Sequence, residues 1–133
     1  MTRLFLDTNI LARLLLGDNM EQGKKTTELL KSAKLGEVEL HLSPEVFIEL
    51  NYVLSKIYGI EKIQIIKEFK NILSYSFIHC QNSDILVNAL ILFENENISL
   101  EDAYYISFCL ENNLEFYSFD KKALKIFKQE NVA

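Results

Sequence analysis

The chain has 133 residues, which suits one domain and leaves little room for a second. Hydrophobic residues make up 49% and charged residues 25%, an ordinary globular balance, and no apolar stretch reaches the roughly 20 residues that a membrane span needs. A formal net charge of −5 argues against a protein that coats nucleic acid by bulk electrostatics, but not against an enzyme that cuts it, because divalent ions can neutralise an acidic site locally.

The opening M-T-R-L-F-L-D does not read as a secretory signal, because an acid interrupts it and no small-residue cleavage site follows. The expected location is the cytoplasm. Cys80 and Cys109 match no zinc spacing and are too few for a disulfide framework, so both are expected to be buried free thiols.

In chain order, Arg3–Leu6 is a candidate first strand, and Asn9–Leu16 a helix that Gly17-Asp18-Asn19 ends. Glu21–Leu35 reads as a surface helix and Gly36-Glu37 as a turn. Val38–Leu42 alternates as V-E-L-H-L, a strand signal. Ser43 as N-cap and Pro44 at the first helical position open a helix that runs to Gly59, with Val46, Leu50, Val53, Leu54 and Ile57 as its apolar stripe. Glu61–Leu73 is amphipathic, with Ile63, Ile66, Phe69, Ile72 and Leu73 on one face. Tyr75–Cys80 reads as a strand, and Ser83-Asp84 starts a helix through Phe93. Ser99-Leu-Glu-Asp102 resembles a capping box opening a helix to Leu110. Leu114–Phe119 reads as the last strand and Lys121–Gln129 as a closing helix. Strands alternating with helices predict an α/β fold with a mainly parallel sheet of four to five strands flanked by helices, in one domain over residues 1–133.

In open α/β sheets, sites lie beyond the carboxyl ends of the strands. Asp7 follows the first strand, Asp120 follows the last in Y-S-F-D, Asp102 sits in the first turn of a helix, and Glu49 lies inside a helix beside its apolar stripe. Taken singly, each has a structural reading: Asp7 and Asp120 as helix caps, Asp102 as the acidic member of a capping box, Glu49 as a solvated helix residue. Taken together, four carboxylates aimed at one place would repel one another unless a cation joined them. Oxygen-only donors favour Mg²⁺ or Mn²⁺, and such a site suits phosphodiester hydrolysis.

The segments D-T-N-I-L-A-R-L-L, P-E-V-F-I-E-L-N-Y-V-L, E-D-A-Y-Y-I-S-F-C and Y-S-F-D-K-K-A-L stand in an order that resembles the PIN-domain ribonucleases over nearly the whole chain. The nearest likeness is to the small toxins of VapBC-type toxin–antitoxin pairs. The resemblance implies that the family's metal-binding, catalytic acids fall on Asp7, Glu49, Asp102 and Asp120, with Mg²⁺ or Mn²⁺ as cofactor and RNA as substrate. It implies fragments with 5′-phosphate and 3′-hydroxyl ends. Thr8, Asn9 and Ser118 would fix carboxylate orientation. Ser118 stands where threonine is more usual, and Phe119 is bulkier than expected and can shape RNA access.

Arg13, Lys121, Lys122 and Lys125, with Lys128 one turn on, are candidate phosphate contacts. A solvated face serves equally for the lysines, and a salt bridge for Arg13. The resemblance further implies an antitoxin whose C-terminal segment lies across the active-site groove, and a homodimer. Leu11, Leu14 and Leu15 or the helix with Tyr52 and Ile57 can supply the dimer interface, or can equally be core. His41 and His79 carry no motif and are expected to be structural.

Three rival readings stand beside this one. A non-catalytic PIN-like module binding RNA or protein has no reason to keep four acids. A phosphatase or receiver domain needs a second acid where Asn9 stands, or an acceptor Asp where the third strand ends in C-Q-N. A PIN nuclease that processes cellular RNA without an antitoxin would use the same chemistry.

Overall fold

The computed structural model describes residues 1–16 and 20–132. The predicted helix stop at Gly17-Asp18-Asn19 lies outside these residues. The chain forms two compact units, Met1–Gln81 and Asn82–Ala133.

The first unit runs β1 (Thr2–Phe5), α1 (Thr8–Leu16), α2 (Met20–Lys34), β2 (Val38–Leu42), α3 (Pro44–Tyr52), a π-helical segment (Val53–Ile57), α4 (Lys62–Leu73) and β3 (Ile78–Cys80). The three strands form a parallel sheet in the order β1-β2-β3. Leu4 pairs with Leu40, and Leu40 with Ile78. Alternation along β2 sends Leu40 and Leu42 into the core. It leaves Glu39 and His41 on the other face. There Arg3 Nε meets Glu39 Oε1 at 3.6 Å, His41 Nε2 meets the same oxygen at 2.7 Å, and the His41 and His79 rings stack at 5.1 Å. The two histidines therefore form a cross-strand pair, in keeping with a structural role.

The His41 hydrogen bond is the main reason why the Glu39 carboxyl titrates below its ordinary value of 4.5. A carboxylate with a depressed folded pKa adds stability above its unfolded pKa and loses it as pH falls through the folded one. Glu39→Gln should therefore lower the urea midpoint slightly at neutral pH, with the difference vanishing below the carboxylate range.

The core of this unit gathers Leu11, Leu40, Phe47, Leu50, Leu54, Ile65, Ile66 and Phe69. Phe47 of α3 packs edge-on against Phe69 of α4, with centroids 5.1 Å apart. The helix expected from Pro44 to Gly59 is α-helical only to Tyr52. It then widens into the π segment, where the Tyr58 N–H reaches Val53 O at 3.3 Å. Gly59 ends it at φ +65°, and the Ile60 N–H closes on Leu54 O at 2.9 Å. A Cβ at Gly59 would meet nothing within 4 Å, so only its backbone conformation resists substitution. Gly59→Ala should cost about 1 kcal/mol in chemical denaturation, and Gly59→Asn less.

The second unit holds α5 (Ser83–Asn95), α6 (Leu100–Glu111) and α7 (Lys121–Glu130). α6 packs against both α5 and α7. Leu86, Ala89, Leu90, Leu100, Ala103, Ile106, Ala123, Ile126 and Phe127 are buried.

Five expectations are corrected. The sheet has three strands among the described residues, not four to five. Leu114–Phe119 forms no ladder, because its β-rich composition finds no partner strand in a unit whose described elements are helices. Of Tyr75–Cys80 only Ile78–Cys80 pairs; Ile78 N–H turns back to Tyr75 O at 3.2 Å, and the Tyr75 and Phe77 rings stack on each other instead. On α4, Ile63 is exposed and Ile65 takes the core position. Cys80 and Cys109 are free, as expected, but half-buried rather than buried, and burial pushes the Cys80 thiol up to about 11.

Candidate active site

Asp7 sits between β1 and α1, where the chain leaves the sheet. Its Oδ1 accepts the Ile10 N–H at 3.1 Å, which caps α1. Thr8 is buried and Asn9 exposed at the start of that helix. Asp7 and Asn9 open onto a groove of about 450 Å³, lined also by Arg13 of α1 and by Gln22, Lys25 and Leu29 of α2. α1 packs on α2 and on α3, and Glu49 lies exposed on α3. Two residues beyond Glu49, Asn51 Oδ1 is buried without a hydrogen-bond partner. Residues two apart on a helix point away from each other, so this oxygen does not belong with the Glu49 carboxylate.

In the second unit, Ser99 caps α6 as its S-x-x-D spacing predicts, its Oγ accepting the Asp102 N–H at 3.0 Å. Loss of this cap in Ser99→Ala should cost about 1 kcal/mol in thermal unfolding. Asp120 caps α7. Its Oδ1 accepts the N–H groups of Lys122 at 3.0 Å and Ala123 at 3.1 Å, so the second carboxylate oxygen is not needed for the cap. The Ser118 Oγ accepts the Asp120 N–H at 3.0 Å, so this hydroxyl orients the acid through its backbone rather than through its carboxylate.

Asp102 is half-buried, and its carboxyl titrates above its ordinary value. Burial is the chief cause, the negative charge of Asp120 the second, and a side-chain hydrogen bond with Ser99 partly opposes both. Two of the four predicted acids are thus brought within electrostatic reach of each other inside one unit. Asp7 and Glu49 belong to the other unit. Among the described residues, no three His, Cys, Asp or Glu side chains are grouped to hold a metal ion.

A hard divalent ion does not need such a cage. Mg²⁺ keeps several waters and is held by one or two carboxylates plus substrate phosphate. The Asp102–Asp120 pair fits that demand, since it offers oxygen donors only and carries a repulsion that a cation would relieve.

The family model of the PIN domain matches residues 4–128. The chain belongs to the PIN domain family. The PIN domain is a nuclease-type fold whose members act on RNA or other nucleic acid and generally use divalent metal ions. Searches among curated proteins and among solved structures gave no match. No helix among the described residues is long and apolar enough to cross a membrane.

Lys121, Lys122 and Lys125 are exposed at the start of α7. Lys25 and Gln22 enter the Asp7 groove only because α2 packs on α1. No local pattern marks them. Nor does any sequence motif mark Tyr117, whose ring stands in solvent beside Phe119.

Proposed function

We propose that this PIN domain, taken as one domain over residues 1–133, is an endoribonuclease. It hydrolyses RNA phosphodiester bonds with Mg²⁺ or Mn²⁺ and acts in the cytoplasm as the toxin of a VapBC-type toxin–antitoxin pair. The observation that carries the reading is the Asp102–Asp120 pair, in which burial first and the charge of Asp120 second raise the Asp102 carboxyl above its ordinary value. In a nuclease-type fold such a pair is the electrostatic counterpart of a cation site.

Asp102 and Asp120 would hold the ion, with Asp7 and Glu49 completing the acidic set. When bound, the ion supplies positive charge to the phosphate as negative charge builds on the attacking and leaving oxygens. The residues of the chain set the geometry around it. Ser99 holds Asp102, Ser118 holds the Asp120 backbone, and Thr8 and Asn9 flank Asp7. Glu49 would ligate a second ion or position the attacking water. Arg13, Lys121, Lys122 and Lys125 would contact RNA phosphates.

The antitoxin's C-terminal segment would cover the same acids. Tyr52 and Ile57, 62% and 66% exposed, offer apolar surface for a homodimer, whereas Leu11 is taken by the core.

One observation favours a second reading: Asp7 and Asp120 both cap helices, a task that a non-catalytic module would also require of them. Expression in a bacterial host separates the two. Wild-type protein should arrest growth and Asp7→Asn should not, while calorimetry should show Mn²⁺ uptake by wild type that Asp102→Asn loses. Unimpeded growth with no Mn²⁺ uptake would leave the binding module as the better account.

A further inference from the structure

Residues 112–120 carry three neighbouring aromatic side chains that do different things. Phe116 is half-buried, with its ring 6.0 Å from that of Phe127 on α7, so it anchors the segment. Tyr117 and Phe119 are 87% and 93% exposed and touch each other edge to face at 6.1 Å. One residue later Asp120 turns the chain into α7, with the Ser118 hydroxyl holding the turn. Four of the chain's 14 lysines and arginines fall on this helix of 10 residues: Lys121, Lys122, Lys125 and Lys128. Lys121, Lys125 and Lys128 share one helical face and line a shallow groove of about 590 Å³ with Leu124 and Gln129.

Two bare rings beside a row of cations, in a protein of net charge −5, match one kind of ligand better than others. Unpaired nucleic acid offers flat base faces for stacking and phosphates for lysines, whereas a duplex hides its base faces. A protein partner would be met by a broader apolar patch than two rings bounded by charges.

We propose that Tyr117 and Phe119 form a stacking platform for unpaired bases of RNA, whose phosphates follow Lys121, Lys125 and Lys128 along α7. The inference rests on the ribonuclease reading for its choice of RNA. It makes the two rings the residues that select single-stranded substrate next to Asp120.

Fluorescence anisotropy with a labelled unpaired RNA of roughly 12 nucleotides, and with the same strand in a duplex, tests this in EDTA, where binding is read without cleavage. Wild type should prefer the unpaired strand. Tyr117→Ala and Phe119→Ala should each weaken that binding about tenfold and shrink the preference, and Phe119→Trp should restore it. Lys125→Gln should weaken both forms alike and lower the salt slope by about 1. Both rings are exposed, so circular dichroism and thermal unfolding should not change.

The platform is overturned if wild type does not bind unpaired RNA, if the alanine variants bind it as wild type does, or if they lose duplex to the same degree. It is also overturned if they leave RNA affinity intact but dissociate a dimer in sedimentation, for then the rings seat a second copy. The two readings fail separately. Ring-dependent binding without cleavage in Mg²⁺ or Mn²⁺ defeats the nuclease and leaves the platform. Metal-dependent cleavage with unchanged KM in both alanine variants defeats the platform and leaves the nuclease.

Discussion

Asp120→Asn should lower RNA cleavage by at least about a hundredfold, the equivalent of roughly 3 kcal/mol of transition-state stabilisation, and leave thermal stability nearly unchanged. This carboxylate has two tasks. As a cap it needs one oxygen that accepts the Lys122 and Ala123 N–H groups, and an asparagine side-chain oxygen does that as well as an aspartate. As part of a cation site it needs charge, which the amide lacks. Asp120→Ala removes both and should lose activity together with about 1 kcal/mol of stability. Asp102→Asn should match Asp120→Asn in activity but, unlike it, should change stability. Removing a half-buried charge that Asp120 repels should raise the melting temperature of the metal-free protein at neutral pH, where the wild-type carboxyl ionises at a cost. Cleavage rates and melting curves on the three variants check this. Activity that falls only in step with folded fraction would reduce both acids to their capping roles.

The second large effect concerns the scaffold under Glu49. Phe47 is fully buried on α3, two residues from Glu49, and its ring meets Phe69 of α4 edge-on. Phe47→Ala should cost about 3–5 kcal/mol, since it removes a large ring from a packed site and leaves a cavity that the helices cannot fill without moving. That is a large share of the roughly 5–15 kcal/mol that holds a domain together. Urea denaturation should show the midpoint falling steeply with little change in slope. Cleavage per folded molecule should stay near wild type if α3 keeps its place, and a further loss would mean that the Phe47–Phe69 contact also sets where Glu49 stands.

Much of the fold was legible because local pattern and tertiary demand agree. V-E-L-H-L forms β2 with its leucines inward, and Ser99 caps α6 from its spacing alone. Asp7 and Asp120 cap helices as their single-residue readings expected. Where the sequence misled, the deciding information lay elsewhere in the chain. Leu114–Phe119 has strand composition, but a strand exists only with a ladder partner, and its unit supplies helices. The π segment after Tyr52 leaves no local signature, because its apolar residues would serve an α-helix as well. In I-Q-I-I on α4, three isoleucines compete for the core, and packing chose Ile65 and Ile66 over Ile63. The site divides in the same way. Residue type nominated four acids, the coupling of Asp102 to Asp120 emerged only from the packing of α6 with α7, and Asp7 and Glu49 belong to the other unit.

Metal-dependent hydrolysis at these acids is read from RNA cleavage by the purified protein with Mg²⁺, with Mn²⁺ and with EDTA, beside Asp7→Asn. Asp7→Asn keeps an oxygen for the Ile10 N–H and so keeps the α1 cap. Fragments with 5′-phosphates are expected when metal is present, none in EDTA and none from the variant. Cleavage that persists in EDTA, or that Asp7→Asn performs as well as wild type, would contradict that mechanism.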